Sequence, residues 1–301
     1  MNKRQYLAGR DMCDNDGFTL VKYKKPKNIK PSHKDKIFAD SMFYTTQDDE
    51  IETDKEVDTI MEKIASCKLE LRSSMFYKDL IKSIFENISV VDQEEPVGKF
   101  SEFFTDFVCY SIGKISESRQ AMYQFALLVL LWEQFKPPGA CYIYDPVFTG
   151  VDKAILGNFE MVLISQNEEA KRNVSQKTLF FVPHGGKPLY NNILWSNWSP
   201  ALTNVVLLGN SFHSYDERIP SEKLHAEAAY IAWVLPLTLE MKFPTKFHFH
   251  DDIFNDLSIH FFLACELQQQ PPSFWQDCKK PVYKEDNVEI VLNTSMAKKI
   301  S

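Results

Sequence analysis

Five positions carry groups suited to chemistry: Ser111 and Gly113 after one short apolar run, Asp145 after a second, His184 after a third and Asn210 after a fourth. Runs that stop at polar or glycine-containing turns gather such groups at one end of a parallel sheet, where open α/β folds hold their ligands. Ser111-Ile112-Gly113 takes the place of a phosphate-cradling loop, but a single glycine is a poor substitute for Gly-x-Gly-x-x-Gly. Asp145 stands where such folds put an acid for ribose hydroxyls. Together these residues favour an adenosine-type cofactor, with S-adenosylmethionine fitting better than a dinucleotide because no pyrophosphate loop is evident. An aspartate before a proline is also a common turn former or helix cap.

His184 lies between Pro183 and Gly185-Gly186, so its imidazole belongs to a tight turn at the mouth of the sheet. There it can act as a general base or hydrogen-bond donor, with Asn210 beside the substrate, or it can simply anchor the turn. Lys187 offers a positive charge at the start of the following helix, a position usually exposed to solvent. Asn191, Asn192 and Asn197 are poor helix formers, which points to side-chain hydrogen bonds overriding local preference. Trp195 and Trp198 read as core rather than as a stacking platform. His248-Phe249-His250-Asp251-Asp252 places two imidazoles on one side of an extended chain, yet no further zinc ligand stands at a fixed spacing. A nucleophile elbow, a phosphate-binding loop and a Cys-x-x-Cys array are absent from the sequence.

These residues need an alternating α/β frame. Apolar runs at Phe107–Tyr110, Cys141–Tyr144, Met161–Ile164, Thr178–Val182 and Val205–Leu208 read as strands. Helical spacing lies between them: residues 116–135, apolar nearly all round, 152–156, the segment after His184, and 221–235. The polar stretch Asn167–Lys171 reads as one or two helical turns. Ser258–Leu263 reads as a further strand, antiparallel at the edge, and Val288–Leu292 as a short terminal strand. The expected fold is α/β, Rossmann-like, with a mostly parallel sheet and helices on both faces over residues 97–265. A helical lead-in at 56–96, with two helices parting near Leu71–Ser74, and an extension at 266–301 flank this domain.

Residues 1–55 read as a flexible charged tail: lysines from Lys22 to Lys36, then acids from Asp48 to Asp58, with too few aliphatics to offset chain entropy. A lysine arm touching RNA or an acidic partner is the alternative, but it lacks interleaved aromatics and arginines. The net charge of −7 argues against a nucleic-acid-coating surface. Six cysteines, several within apolar runs, fit a reducing compartment. With no signal-peptide stretch at the amino terminus and no bilayer-length apolar run, the expectation is a cytoplasmic or also nuclear protein, with no membrane association.

The residues also resemble a family. Tyr144-Asp145-Pro146-Val147-Phe148, Asn167-Glu168-Glu169, the long block Pro183–Trp198 and Gly209-Asn210-Ser211-Phe212 are similar to those of the sensitivity-to-red-light-reduced (SRR-like) family, as is the leader Asp16–Val21. The resemblance implies a role in circadian clock input and clock-gene expression and in the regulation of heme biosynthesis, without an established reaction. Members usually show Gly-Leu-Gly-Asn after the first strand, where this chain has Ser111 for the first glycine and Lys114 for the asparagine. A heme-responsive Cys-Pro pair is absent from the sequence. The first expectation is therefore a regulatory protein acting through contacts with other proteins. The alternatives are a methyltransferase-like enzyme, with Ser111, Gly113 and Asp145 holding adenosine and His184 or Asn210 near the substrate, and a sensor binding a small molecule in the strand-end cleft.

Overall fold

The computed structural model describes residues 47–91, 103–244, 247, 250, 252–276 and 278–293, with side chains from 54 onward. The lysine-rich leader, including Asp16–Val21, lies outside the described residues. Two helices lead in, α1 (Gln47–Ser73) and α2 (Met75–Val91), so helical structure begins inside the stretch expected to be tail. The sheet then opens with β1 (Asp106–Tyr110), followed by α3 (Arg119–Phe135), β2 (Cys141–Tyr144), α4 (Gly150–Asn158), β3 (Val162–Leu163) and β4 (Thr178–Val182). Next come α5 (Lys187–Ser196), β5 (Val205–Asn210), α6 (Phe212–Arg218), α7 (Ser221–Val234), β6 (Thr238–Lys242) and β7 (Leu257–Phe262). Two short helices, α8 (Ala264–Gln268) and α9 (Pro272–Trp275), follow.

The strand order is β3-β2-β1-β4-β5-β7-β6. The first five strands run parallel, and β7 is antiparallel to both β5 and β6. Successive strands are added to one side of β1 up to β3 and to its other side from β4 onward, so the order reverses between β1 and β4, and their carboxyl ends form the crevice where such sheets take ligands.

Alternation along the strands divides the core. Phe107 and Cys109 of β1 join a cluster with α1 to α4 on one face, while Val108 and Tyr110 join α5 to α7 on the other. The uniformly apolar α3 follows from this layering. Its inner face meets the sheet, and α1 lies over it, with Lys68 and Arg72 both reaching Glu133 at 2.5 Å. An edge-to-face ladder, Phe103–Phe104–Phe135 with Phe107 and Trp132, fills the base of that face. Ser118 caps α3 by accepting from the Ala121 amide at 3.2 Å, and Lys136 ends it in the left-handed region.

Three local expectations differ from the structure. Strand β7 is internal rather than at the edge, because Thr238–Lys242 pairs outside it. That strand is partly exposed and carries Glu240 and Lys242, so it lacks the apolar run that marks a buried strand. Asn167–Lys171 is a turn rather than a helix. Glu169 and Ala170 take positive φ (52° and 57°), and Asn167 Oδ1 accepts from the Glu169 amide at 2.9 Å. Val288–Leu292 has no ladder partner among the described residues; side chains of the main domain hold it instead.

Candidate functional site

The crevice forms at the ends of β1, β2, β4 and β5. After β1 the chain turns through Ser111 and Gly113, both at positive φ (59° and 81°). Serine in the left-handed region costs about 1–2 kcal/mol relative to a right-handed residue, so this is a glycine-like position filled without glycine. The Gly113 amide donates to Asp145 Oδ2 at 2.8 Å and the Val147 amide to Asp145 Oδ1 at 3.0 Å. Asp145 is buried. Burial pushes its carboxyl above the usual aspartate range, the two amide hydrogen bonds oppose that shift, and the charge of Asp152 adds to it. Oδ2 thus ties the β2 end to the β1 loop and Oδ1 closes the turn after β2, so both oxygens accept from the protein's own backbone.

At the ends of β4 and β5 the organising group is Tyr190 of α5. Its hydroxyl donates to Val182 O (2.6 Å) and accepts from the Gly185 and Asn210 amides (3.1 and 3.0 Å). Asn210 Nδ2 donates to Gly185 O at 3.0 Å and to the Tyr215 hydroxyl at 2.9 Å, while its buried Oδ1 has no partner among the described residues. His184 sits at φ 52° and donates from Nε2 to Ile253 O at 3.1 Å, an oxygen that also accepts from Gln124 Nε2. Burial lowers the His184 pKa, against the hydrogen bond to Ile253 and the charges of Asp256 and Asp252. Its ring is thus occupied with the loop that precedes β7. Replacing His184 by alanine removes that bond and keeps the left-handed backbone, so a loss of about 1–2 kcal/mol is expected in chemical denaturation. A loss of activity or binding at unchanged stability would instead assign the ring to chemistry.

Lys187, expected at the surface, is buried. Its Nζ lies 2.9 Å from Glu289 and 3.7 Å from Glu227. The three asparagines of α5 and its cap bind three different segments. Asn191 donates to the Tyr283 hydroxyl and accepts from the Tyr230 amide, which follows a break in α7 at Ala228 (φ −150°, ψ 60°). Asn192 donates to Glu169 O and accepts from Tyr283, and Asn197 accepts from the Val174 amide and donates to Arg172 O. Trp198 is buried among Tyr230, Phe274 and Trp275, and its indole donates to Phe274 O.

Residues 289–293 lie across this crevice. Ile290 is buried, Asn167 Nδ2 donates to Val291 O at 2.6 Å, and the Asn293 amide donates to Glu169 Oε1 at 2.6 Å. The space left between them and Tyr110, Ser111, Tyr144 and Asp145 is about 50 Å³, well below the several hundred Å³ of a pocket for a nucleoside-sized ligand.

A second polar centre escaped the sequence reading. Glu240 of β6, with its side chain 2% exposed, accepts from Ser211 Oγ and Ser258 Oγ on one oxygen and from the His213 amide and ring on the other. The fully buried His260 stands 3.5 Å away, an ion-pair distance rather than a hydrogen bond. Ser258 and His260 were visible in their apolar run; their partner was hidden in the overlooked edge strand. His248 and Asp251 lie outside the described residues. His250 packs on Tyr123 and contacts Arg119 and Glu70. Among the described residues no group of three or more His, Cys, Asp or Glu side chains is placed to hold a metal ion.

The geometry defines a class: a Rossmann-like α/β scaffold whose strand-end polar groups bind one another and the chain's own carboxyl-terminal segment. The sequence profile of the SRR1 domain matches residues 82–261, and the chain belongs to the SRR1 family. It is 41% identical to the SRR1-like protein of Mus musculus over 130 residues, covering 42% of this chain and 52% of the mouse protein. It is 30% identical to the SRR1-like protein of Drosophila melanogaster over 192 residues (63% and 67%). It is also 30% identical to the protein Sensitivity to Red Light Reduced 1 of Arabidopsis thaliana over 212 residues (69% and 76%). The chain thus spans about half the length of the mouse relative. No solved structure gives a significant match.

Proposed function

We propose that this chain is a regulatory protein that works through contacts with other proteins, in circadian clock input, clock-gene expression and the regulation of heme biosynthesis. Membership of the SRR1 family supports the setting, and the name of the Arabidopsis relative ties that protein to red-light sensitivity. The observation that carries the mode of action is the internal use of the crevice: Asp145 and the Tyr190 hydroxyl spend their polar groups on backbone, the Asn210 amide nitrogen donates to Gly185 O and the Tyr215 hydroxyl, and residues 289–293 cover the strand ends. We place the protein in the cytoplasm, or also in the nucleus, on the reducing compartment that its cysteine pattern fits. The division into tail (1–55), lead-in (56–96), central domain (97–265) and extension (266–301) belongs to the same reading.

Deletion in the source organism is expected to alter the period or amplitude of rhythmic transcripts and the level of heme-synthesis transcripts. Unchanged rhythms together with unchanged heme synthesis would overturn the proposal.

A methyltransferase-like enzyme is the second reading, favoured by the β3-β2-β1-β4-β5 order and by an acid at the end of β2. A ligand that prefers the native state raises its melting temperature in a saturable way. S-adenosylmethionine, S-adenosylhomocysteine, nucleotides and heme are each expected to leave the melting temperature of the intact chain within about 1 °C, since at concentrations near or below Kd the linkage term stays under ~0.5 kcal/mol. A saturable rise of several degrees with S-adenosylmethionine would favour the enzyme.

A further inference from the structure

We propose that the strand-end crevice is a docking site for an extended acidic–aliphatic peptide of a partner protein, held in this structure by the chain's own Glu289-Ile290-Val291-Leu292-Asn293. The inference rests on reading the chain as one that works through protein contacts. It goes further by naming the surface and the chemistry of what it binds.

Four features of the crevice match four features of the segment. Lys187, buried at the first turn of α5, pairs its ammonium with the Glu289 carboxylate at 2.9 Å. Ile290 is 7% exposed over the end of the sheet. Asn167 donates its side-chain amide to a backbone oxygen, that of Val291, a contact that does not depend on side-chain identity. Asn293 bonds twice, its amide to Glu169 Oε1 and its Nδ2 to Asn167 O. Gly186 explains how the backbone comes so close: a Cβ there would lie 2.3 Å from Glu289 O and 2.6 Å from Glu289 Cβ. The pattern recognised is therefore Glu, a buried aliphatic, any residue offering its carbonyl, and asparagine two positions later.

The segment is also built to exchange. Val282, Val288 and Val291 on and before it are exposed at 88%, 54% and 45%, so only part of its apolar surface is used. Side-chain bonds hold it, with no strand ladder among the described residues. A segment tethered at the effective concentration of a short linker, on the order of millimolar, competes with a partner peptide without closing the site permanently.

The test uses the full-length chain and a fluorescein-labelled peptide with the sequence of residues 284–293, followed by fluorescence anisotropy. In the released variant Glu289→Lys/Ile290→Asp, the peptide is expected to bind at least tenfold tighter than to the unaltered chain, consistent with loss of a tethered competitor. A peptide carrying Glu289→Lys should not bind. Adding Gly186→Ala to the released variant should abolish binding, since the new methyl group occupies the path of the peptide backbone. Because the released variant can fail to fold, a second preparation carries a specific protease site in the exposed stretch Lys284–Asp286, cut after folding. There the labelled peptide should exchange with the nicked segment.

Absence of peptide binding to a folded released variant, unfolding of the chain on nicking, or binding of S-adenosylmethionine in place of the peptide would each overturn the proposal. None of these results bears on whether deletion alters rhythms or heme transcripts, so the two readings fail separately.

Discussion

Tyr190→Phe is expected to lower stability by about 2–4 kcal/mol, which for a domain of this size lowers the melting temperature by roughly 5–15 °C. The hydroxyl has one proton and two lone pairs, and all three are used: Val182 O accepts, while the Gly185 and Asn210 amides donate. Removing the oxygen leaves the Asn210 amide at the end of β5 without this acceptor, and leaves the Gly185 amide and Val182 O only their long contact with each other at 3.5 Å. Phenylalanine fills the same volume, so the effect isolates the hydrogen bonds from packing. Gly209 makes the arrangement possible, since a Cβ there would lie 2.4 Å from Tyr190 Cε1. Burial pushes the phenol pKa upward, so the hydroxyl keeps its proton and the loss should be constant across neutral pH. Urea denaturation at pH 6 and pH 8 checks both statements, and a change below about 1 kcal/mol would mean that other groups satisfy these amides.

The second large effect concerns Glu240→Gln, expected to cost about 3 kcal/mol at pH 7. Glutamine offers one oxygen where the carboxylate offers two, and its amide hydrogens would face the His213 and His260 groups or the serine hydroxyls now donating to Glu240. Burial by itself would raise the Glu240 pKa. His260, then Ser211 and His213, outweigh burial and hold the carboxyl well below the usual range. A carboxylate depressed in the folded state contributes stability that is present above its unfolded pKa and is lost as pH falls towards the folded value. The gap between the unaltered chain and Glu240→Gln should therefore be full above about pH 5.5 and shrink below about pH 4, the unfolded glutamate range. Equal gaps at pH 7 and pH 4 would show that the charge is not what the centre depends on.

Parts of this architecture could be read from residue order because they depend on local composition. Uniform apolar runs such as Phe107–Tyr110 and Thr178–Val182 can be satisfied only in a sheet covered on both faces, so strands and fold class follow from them. Helix α3, apolar all round, likewise required cover on more than one side, though its cover by α1 was not evident. Where polarity was mixed the signal failed. Thr238–Lys242 is a strand because β7 offers it an edge, and Asn167–Lys171 is a turn because two residues take left-handed geometry.

The candidate site divides along the same line. Residue order alone determined that Ser111, Gly113, Asp145, His184 and Asn210 end their strands at one side of the sheet, since strand direction and short connections allow no other placement. It could not determine what those groups face. Asp145 turns inward to the Gly113 amide, His184 turns to Ile253, and Lys187 is buried under Glu289, contacts separated in sequence by 32, 69 and 102 residues. Partners that distant are chosen by packing, because a buried polar group takes whichever complementary atom the assembled layers bring within reach. Tertiary structure thus decided that the crevice is filled by the chain's own carboxyl-terminal segment, and that its asparagines hold that segment and the neighbouring loops.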